Sequence, residues 1–184
     1  MSILRLYLDE VPPDCKRFPK FVQTILFDSS FKLRVNYRLG RRFMQSRFRL
    51  LRIISRFMKN RQLVRFSSDI SYEAVIGKNF EISHPIGIVI GKRVVIGDNV
   101  KLWHRVTLGT HKRSGAPHAD PVIKNGVKIM TGATVIGGIT VGNNAVIGAH
   151  SLVNIDIPDN CTAVGIPCRI ISPRNGIKSG LGNR

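Results

Sequence analysis

The stretch VIGKRVVIGDNVKLWHRVTLG, residues 89–109, places aliphatic side chains at Ile90, Ile96, Leu102 and Leu108, six residues apart. The same beat begins at Ile70, Ile76 and Ile82 and resumes at Ile123, Ile129, Val135, Val141, Ile147 and Val153. Glycine often follows the aliphatic position, as at Gly77, Gly91, Gly97, Gly109, Gly142 and Gly148. Four residues after it stands a small or branched side chain: Ala74, Val94, Val100, Val106, Val127, Ala133, Ala145 and Ser151. A period of six fits neither a 3.6-residue helix nor an isolated strand. It fits a hexapeptide β-helix, in which three short strands and three tight turns make one triangular coil of about 18 residues. The aliphatic and small positions point inward and fill a prism. The expected fold is therefore mainly β, a parallel β-helix over 67–171.

Two interruptions break the beat. Two extra residues fall between Ile82 and Ile90, and nine between Leu108 and Ile123. The longer one is polar and cannot lie inside an apolar prism, so a projecting loop is expected over 110–121. Projecting loops on rigid scaffolds commonly carry binding groups. After Val153 the beat fades, and residues 172–184 read as a mobile tail.

Residues 1–66 have a different character. They hold 16 Lys+Arg against 4 Asp+Glu, which is +12 of the chain's net +18. Past an irregular lead-in, FPKFVQTILF reads as a short helix. FKLRVNYRLGRRFM and RFRLLRIISRFMKNRQLVRF read as one or two longer ones, punctuated near Gly40 or Ser46. The last stretch sets Phe48, Leu51, Ile54 or Ser55, and Met58 along one stripe, ringed by arginines. This basic helical region reads as a cap over the open end of the solenoid, as a contact with an anionic membrane surface, or as a nucleic-acid binder. No nucleic-acid fold or aromatic RNA-binding motif accompanies the charge, so nucleic acid is not expected as a partner. No run reaches the roughly 20 apolar residues of a membrane span. Nor does the N-terminus carry a secretion signal. With Cys15, Cys161 and Cys168 at no metal-like spacing, the expected setting is cytoplasmic, with peripheral contact to the inner membrane face.

His84 and His104 each stand two places after an inward residue, Ile82 and Leu102, and 20 residues apart. That interval is one coil plus the two-residue insertion, so their rings should be neighbours on one outer face. Such histidines are either solvated or a proton-transfer pair. Asp69, 15 residues before His84, falls about one coil away, where a carboxylate could orient the imidazole.

The segments DISYEAVIG from Asp69, ISHPIGIVIG around His84, VTLGT from Val106 and AVGIPCRII from Ala163 resemble the serine acetyltransferase-like branch of the hexapeptide-repeat acyltransferases. The resemblance implies a left-handed β-helix, an exception to the usual right-handed crossover. It implies homotrimers, or dimers of trimers, with active sites in clefts between subunits. It implies acetyl-CoA as donor and no metal. His84 would be the general base and Asp69 its partner. Thr110, Met130, Thr131, Gly148, Ala149, Pro167 and Arg169 would contact the donor.

Three departures shift the expected acceptor away from serine. Where the family carries Arg-His-Pro to receive a carboxylate, this chain reads Ala119-Asp120-Pro121, and Asp120 would repel that group. Ser83 replaces the Asp beside the catalytic His, and the helical segment is shorter than the family's N-terminal domain. The expected acceptor is therefore a glycan: a hydroxyl of a bacterial surface-polysaccharide sugar, held by Ser83, Trp103, His104, His118 and Asp120. Trp103 would stack on a sugar face or pack under the loop. The alternatives are a serine acetyltransferase, a zinc-dependent lyase using His104, His111 and His118, and a non-catalytic scaffold.

Overall fold

The computed structural model describes residue 10, residues 18–110 and residues 120–171. Among the described residues three helices come first, α1 (Phe18–Phe27), α2 (Ser29–Met44) and α3 (Arg49–Phe66), followed by fifteen short strands. The first coil is β1 (Asp69–Ile70), β2 (Val75–Ile76) and β3 (Glu81–Ile82). The second is β4 (Val89–Ile90), β5 (Val95–Ile96) and β6 (Lys101–Leu102), and the third is β7 (Thr107–Gly109), β8 (Val122–Ile123) and β9 (Lys128–Ile129). Then come β10 (Thr134–Ile136), β11 (Thr140–Val141), β12 (Val146–Ile147), β13 (Leu152–Val153), β14 (Thr162–Val164) and β15 (Arg169–Ile171). Up to β13 every third strand pairs in parallel and β14 then joins β12, giving three sheets, β1-β4-β7-β10-β13, β2-β5-β8-β11 and β3-β6-β9-β12-β14, the last closed by an antiparallel β15. The fold is a left-handed parallel β-helix.

All thirteen aliphatic positions of the six-residue beat are buried, as are the eight small or branched ones. Each fully buried Ile or Leu contributes about 1.5–3 kcal/mol of transfer free energy. The corners need left-handed backbone, which Asn tolerates. Asn79, Asn99, Asn144 and Asn160 all have positive φ there. One rung out of line, Asp98, Asn125, Asn143 and Asp159 each accept a backbone N–H from the coil before, as in Lys78 N–H to Asp98 Oδ1 at 2.6 Å and Asp98 N–H to Asn125 Oδ1 at 2.8 Å. The register therefore runs through side chains as well as through the ladder.

The helices cap the open end. Asp28 N-caps α2, accepting from Ser30 N and Phe31 N at 2.7 and 3.1 Å, a contribution of about 1 kcal/mol. Leu33 and Tyr37 on α2 join the same core as Ile70, Ile76 and Ile82. A solenoid's first coil has carbonyls with no coil beneath them, and arginines of α2 supply donors. Arg34 donates to Phe80 O at 3.2 Å, Arg38 to Ile76 O at 2.6 Å and Arg41 to Tyr72 O at 3.0 Å. The helical break falls at Ser46 rather than Gly40. Gly40 sits inside α2, where a Cβ would overlap the Tyr72 ring. On α3 the expected stripe holds at Ser55 and at Met58, which packs against the core, but not at Phe48 or Ile54. Ser55, Gln62 and Phe66 are buried, whereas Phe48 and Ile54 are exposed. The polar side chains win that face because Gln62 Oε1 takes the otherwise unpaired Ile70 N–H at 2.9 Å.

Candidate active site

The two-residue insertion after β3 makes a tight turn, with Ile86 N–H donating to His84 O at 2.7 Å and His84 itself at φ 57°. This turn stacks on the one before β1, through Gly87 N–H to Ser67 O at 3.0 Å. On the next coil the turn after β6 carries Trp103 and His104. The His84 and His104 rings meet edge to face with centroids 5.9 Å apart, as their spacing predicts. His84 is exposed on the single chain. His104 Nδ1 is buried and has no hydrogen-bond partner among the described residues, so an unpaired nitrogen lies in the same corner as an accessible imidazole. Two imidazoles so placed can take a proton from a hydroxyl and hold it.

Asp69 leads β1, one coil before His84. Its carboxylate is exposed and is held by the Lys59 ammonium of α3. Lys59 also donates to Ile70 O at 2.7 Å. No hydrogen bond joins Asp69 to His84 among the described residues.

The residues expected at the donor continue this corner rung by rung. Ser83 N–H donates to Leu102 O, Trp103 N–H to Ile129 O, Met130 N–H to Ile147 O and Gly148 N–H to Ala163 O, all at 2.8–3.0 Å. Ser83, Trp103, Met130 and Gly148 therefore form one column, with Thr131 and Ala149 beside them. Thr131 Oγ1 donates to His104 O at 3.2 Å. Pro167 and Arg169 lie at the β14–β15 hairpin that ends the column, both exposed. Next to them Cys168 is half-buried, and burial pushes its thiol pKa up. Cys161 and Cys168 are free thiols. Thr110 directly follows β7. Trp103 is half-buried, with Lys101 Nζ 5.2 Å from its ring centroid.

Asp120 differs from its expected behaviour. Its side chain is only 5% exposed and is paired with Arg93, Nε to Oδ2 at 2.9 Å. A carboxylate neutralised in this way is a poor repeller of another one. His111 and His118 lie outside the described residues, as does most of the 110–121 loop. Among the described residues no three His, Cys, Asp or Glu side chains gather as a metal-binding group.

Comparison with known proteins decides the family. The model of the family "Bacterial transferase hexapeptide (six repeats)" matches residues 120–154. A serine acetyltransferase from Bacillus pumilus is 40% identical over 162 residues, 86% of this chain and 70% of that one. The chain belongs to the serine acetyltransferase family of hexapeptide-repeat acyltransferases. The solved Brucella abortus serine acetyltransferase matches with a TM-score of 0.76 at 31% identity, over 93% of this chain and 68% of that one. A soybean serine acetyltransferase, solved in complex with serine, matches with a TM-score of 0.79 at 31% identity, over 92% and 70%. Against these and other curated relatives, the chain spans 43% to 70% of their length.

These relatives overturn the expected glycan acceptor. Relatives and solved neighbours alike are named serine acetyltransferases. One of the three departures loses its force in the structure. The charge of Asp120 is taken up by Arg93. A structural match over 93% of the chain takes in most of its helical residues, while the chain spans 68% of that neighbour. Sequence reasoning missed Arg93 because its partner is 27 residues away, and no local spacing signals that pair.

Proposed function

We propose that this chain is a serine O-acetyltransferase that moves the acetyl group of acetyl-CoA to the hydroxyl of L-serine. The observation that carries the reading is the edge-to-face imidazole pair at the insertion after β3, on a chain akin to serine acetyltransferases over most of its length. In this reading His84 takes the serine Oγ–H proton as Oγ bonds to the thioester carbonyl carbon. The tetrahedral intermediate collapses with cleavage of the C–S bond, and the imidazolium returns its proton to the leaving thiolate. General-base assistance of this kind contributes about 10²–10⁴-fold. Asp69 serves as the carboxylate that orients His84, which requires that Lys59 share or release it. His104 fixes the second edge of the pair. Ser83 and Trp103 flank the acceptor.

Acetyl-CoA supplies the activated acyl group. The column from Met130 and Thr131 through Gly148 and Ala149 offers small side chains along which a pantetheine arm fits, and Arg169 offers an exposed guanidinium for phosphate. Thr110 and Pro167 complete the donor contacts. An imidazole exposed on one chain needs a wall opposite it to exclude water, and a neighbouring prism in a homotrimer supplies that wall. A cytoplasmic setting follows from the donor. The test is thiol release from acetyl-CoA with L-serine, with a panel of glycans and with no acceptor. Serine-dependent release supports the proposal, and glycan-dependent release with an inert serine reverses it.

A further inference from the structure

The cap uses only part of the helices' positive charge. Arg34, Arg38, Arg41 and Lys59 face the first coil and are hydrogen-bonded to it. The arginines of α3 are different: Arg49, Arg52, Arg56, Arg61 and Arg65 make no ion pair among the described residues. Between them runs a second apolar face, opposite the one that seats α3 on the solenoid. Leu50 is 68% exposed, Ile53 49%, Phe57 71% and Val64 77%. Their spacing, i, i+3, i+7 and i+14, keeps them on one side of a helix. By the same 3.6-residue geometry Arg49, Arg52 and Arg56 flank one edge of this row and Arg61 and Arg65 the other. An exposed apolar row of this size on a soluble surface marks an interaction site.

Its neighbourhood indicates the occupant. Where α3 crosses the first coil, a cleft of about 630 Å³ is lined by Arg49, Arg52, Ile53, Arg56, Lys59 and Lys92 among others. Glu73 is the acidic group in that lining, and it is engaged by Lys92 at 3.6 Å. The cleft therefore suits phosphate-bearing head groups, and Ile53 belongs both to it and to the apolar row. A second copy of the chain is disfavoured, because two faces drawn from a segment carrying +12 would repel. Nucleic acid would satisfy the arginines but has no use for Leu50, Ile53, Phe57 and Val64. No helix among the described residues is long and apolar enough to cross a membrane, so α3 would lie on a bilayer rather than span it. We propose that the outer face of α3 is a peripheral docking surface for anionic phospholipid, with the apolar row at the acyl boundary and the arginines among the head groups.

This inference stands apart from the acetyltransfer reading and is tested on the full chain without substrates. Cosedimentation is measured with phosphatidylcholine vesicles and with vesicles that also carry phosphatidylglycerol, at low and high salt. Binding is expected only with phosphatidylglycerol and should weaken with salt. Removing an arginine, as in Arg52→Gln or Arg56→Gln, should cost about five-fold in affinity each. The double variant Ile53→Ser/Phe57→Ser should lose binding while its thermal melting holds, since both side chains are exposed. Failure to pellet with phosphatidylglycerol at low salt overturns the proposal. So does unaltered binding by the double variant, which would leave the charge alone at work. Retention on duplex DNA that vesicles fail to displace, or self-association without vesicles that the double variant abolishes, assigns the face to another occupant and equally overturns it.

Discussion

At position 69 a carboxylate is held by Lys59 of α3, while His84, the imidazole it would serve, stands one coil further on. If Asp69 orients His84, then Asp69→Asn should lower kcat on the order of 10²-fold with little change in KM for acetyl-CoA. A purely structural role in anchoring Lys59 would instead show as a lowered melting temperature with kcat preserved. Cys168 gives a second handle. Its thiol pKa is raised by burial, so at neutral pH it holds less thiolate than a free cysteine and should alkylate with iodoacetamide more slowly. The rate should recover as pH rises toward that raised pKa, and mass spectrometry of the modified peptide reads it out. At this scale the sequence was informative about which histidines meet, because the repeat converts spacing into position. It said little about charge partners: Lys59–Asp69 and Arg93–Asp120 join residues on different elements, and such pairing depends on how the elements stack.

Among the elements, the solenoid was legible nearly in full because one repeating side-chain pattern determines strand, turn and burial together. The helices were legible as helices, but their buried faces only in part. Gly40 reads as a helix breaker, yet it lies within α2 beneath Tyr72. Gly40→Ala distinguishes the two roles by sign. In an unobstructed helix interior the change would stabilise by about 0.5–1 kcal/mol, whereas steric overlap with the ring should destabilise by roughly 1–3 kcal/mol. Urea denaturation is expected to show the loss. The prism makes a simpler prediction. Leu102 is fully buried, and Leu102→Ala should cost about 2–5 kcal/mol through lost contacts and a residual cavity, seen as a lowered denaturation midpoint with an unchanged slope.

For the molecule as a whole, much of the positive charge sits on the helices, where the cations just described fall into two sets. One set closes the solenoid's open end on backbone carbonyls, and Arg49, Arg52, Arg56, Arg61 and Arg65 of α3 make no ion pair among the described residues. Neither population is separable in the sequence, where all of them read as arginines at helical spacing. The acceptor was misread for a related reason: a local departure at Ala119-Asp120-Pro121 was weighed alone, without the Arg93 that neutralises it. The proposed function predicts a trimer by sedimentation equilibrium, because excluding water from the exposed His84 needs a second prism. The most direct test of the central claim is the rate of O-acetylserine formation from acetyl-CoA and L-serine by the wild-type chain and by His84→Ala. A fall of about 10²–10⁴-fold in kcat, with the melting temperature unchanged, is the predicted result. An undiminished rate in His84→Ala would contradict it.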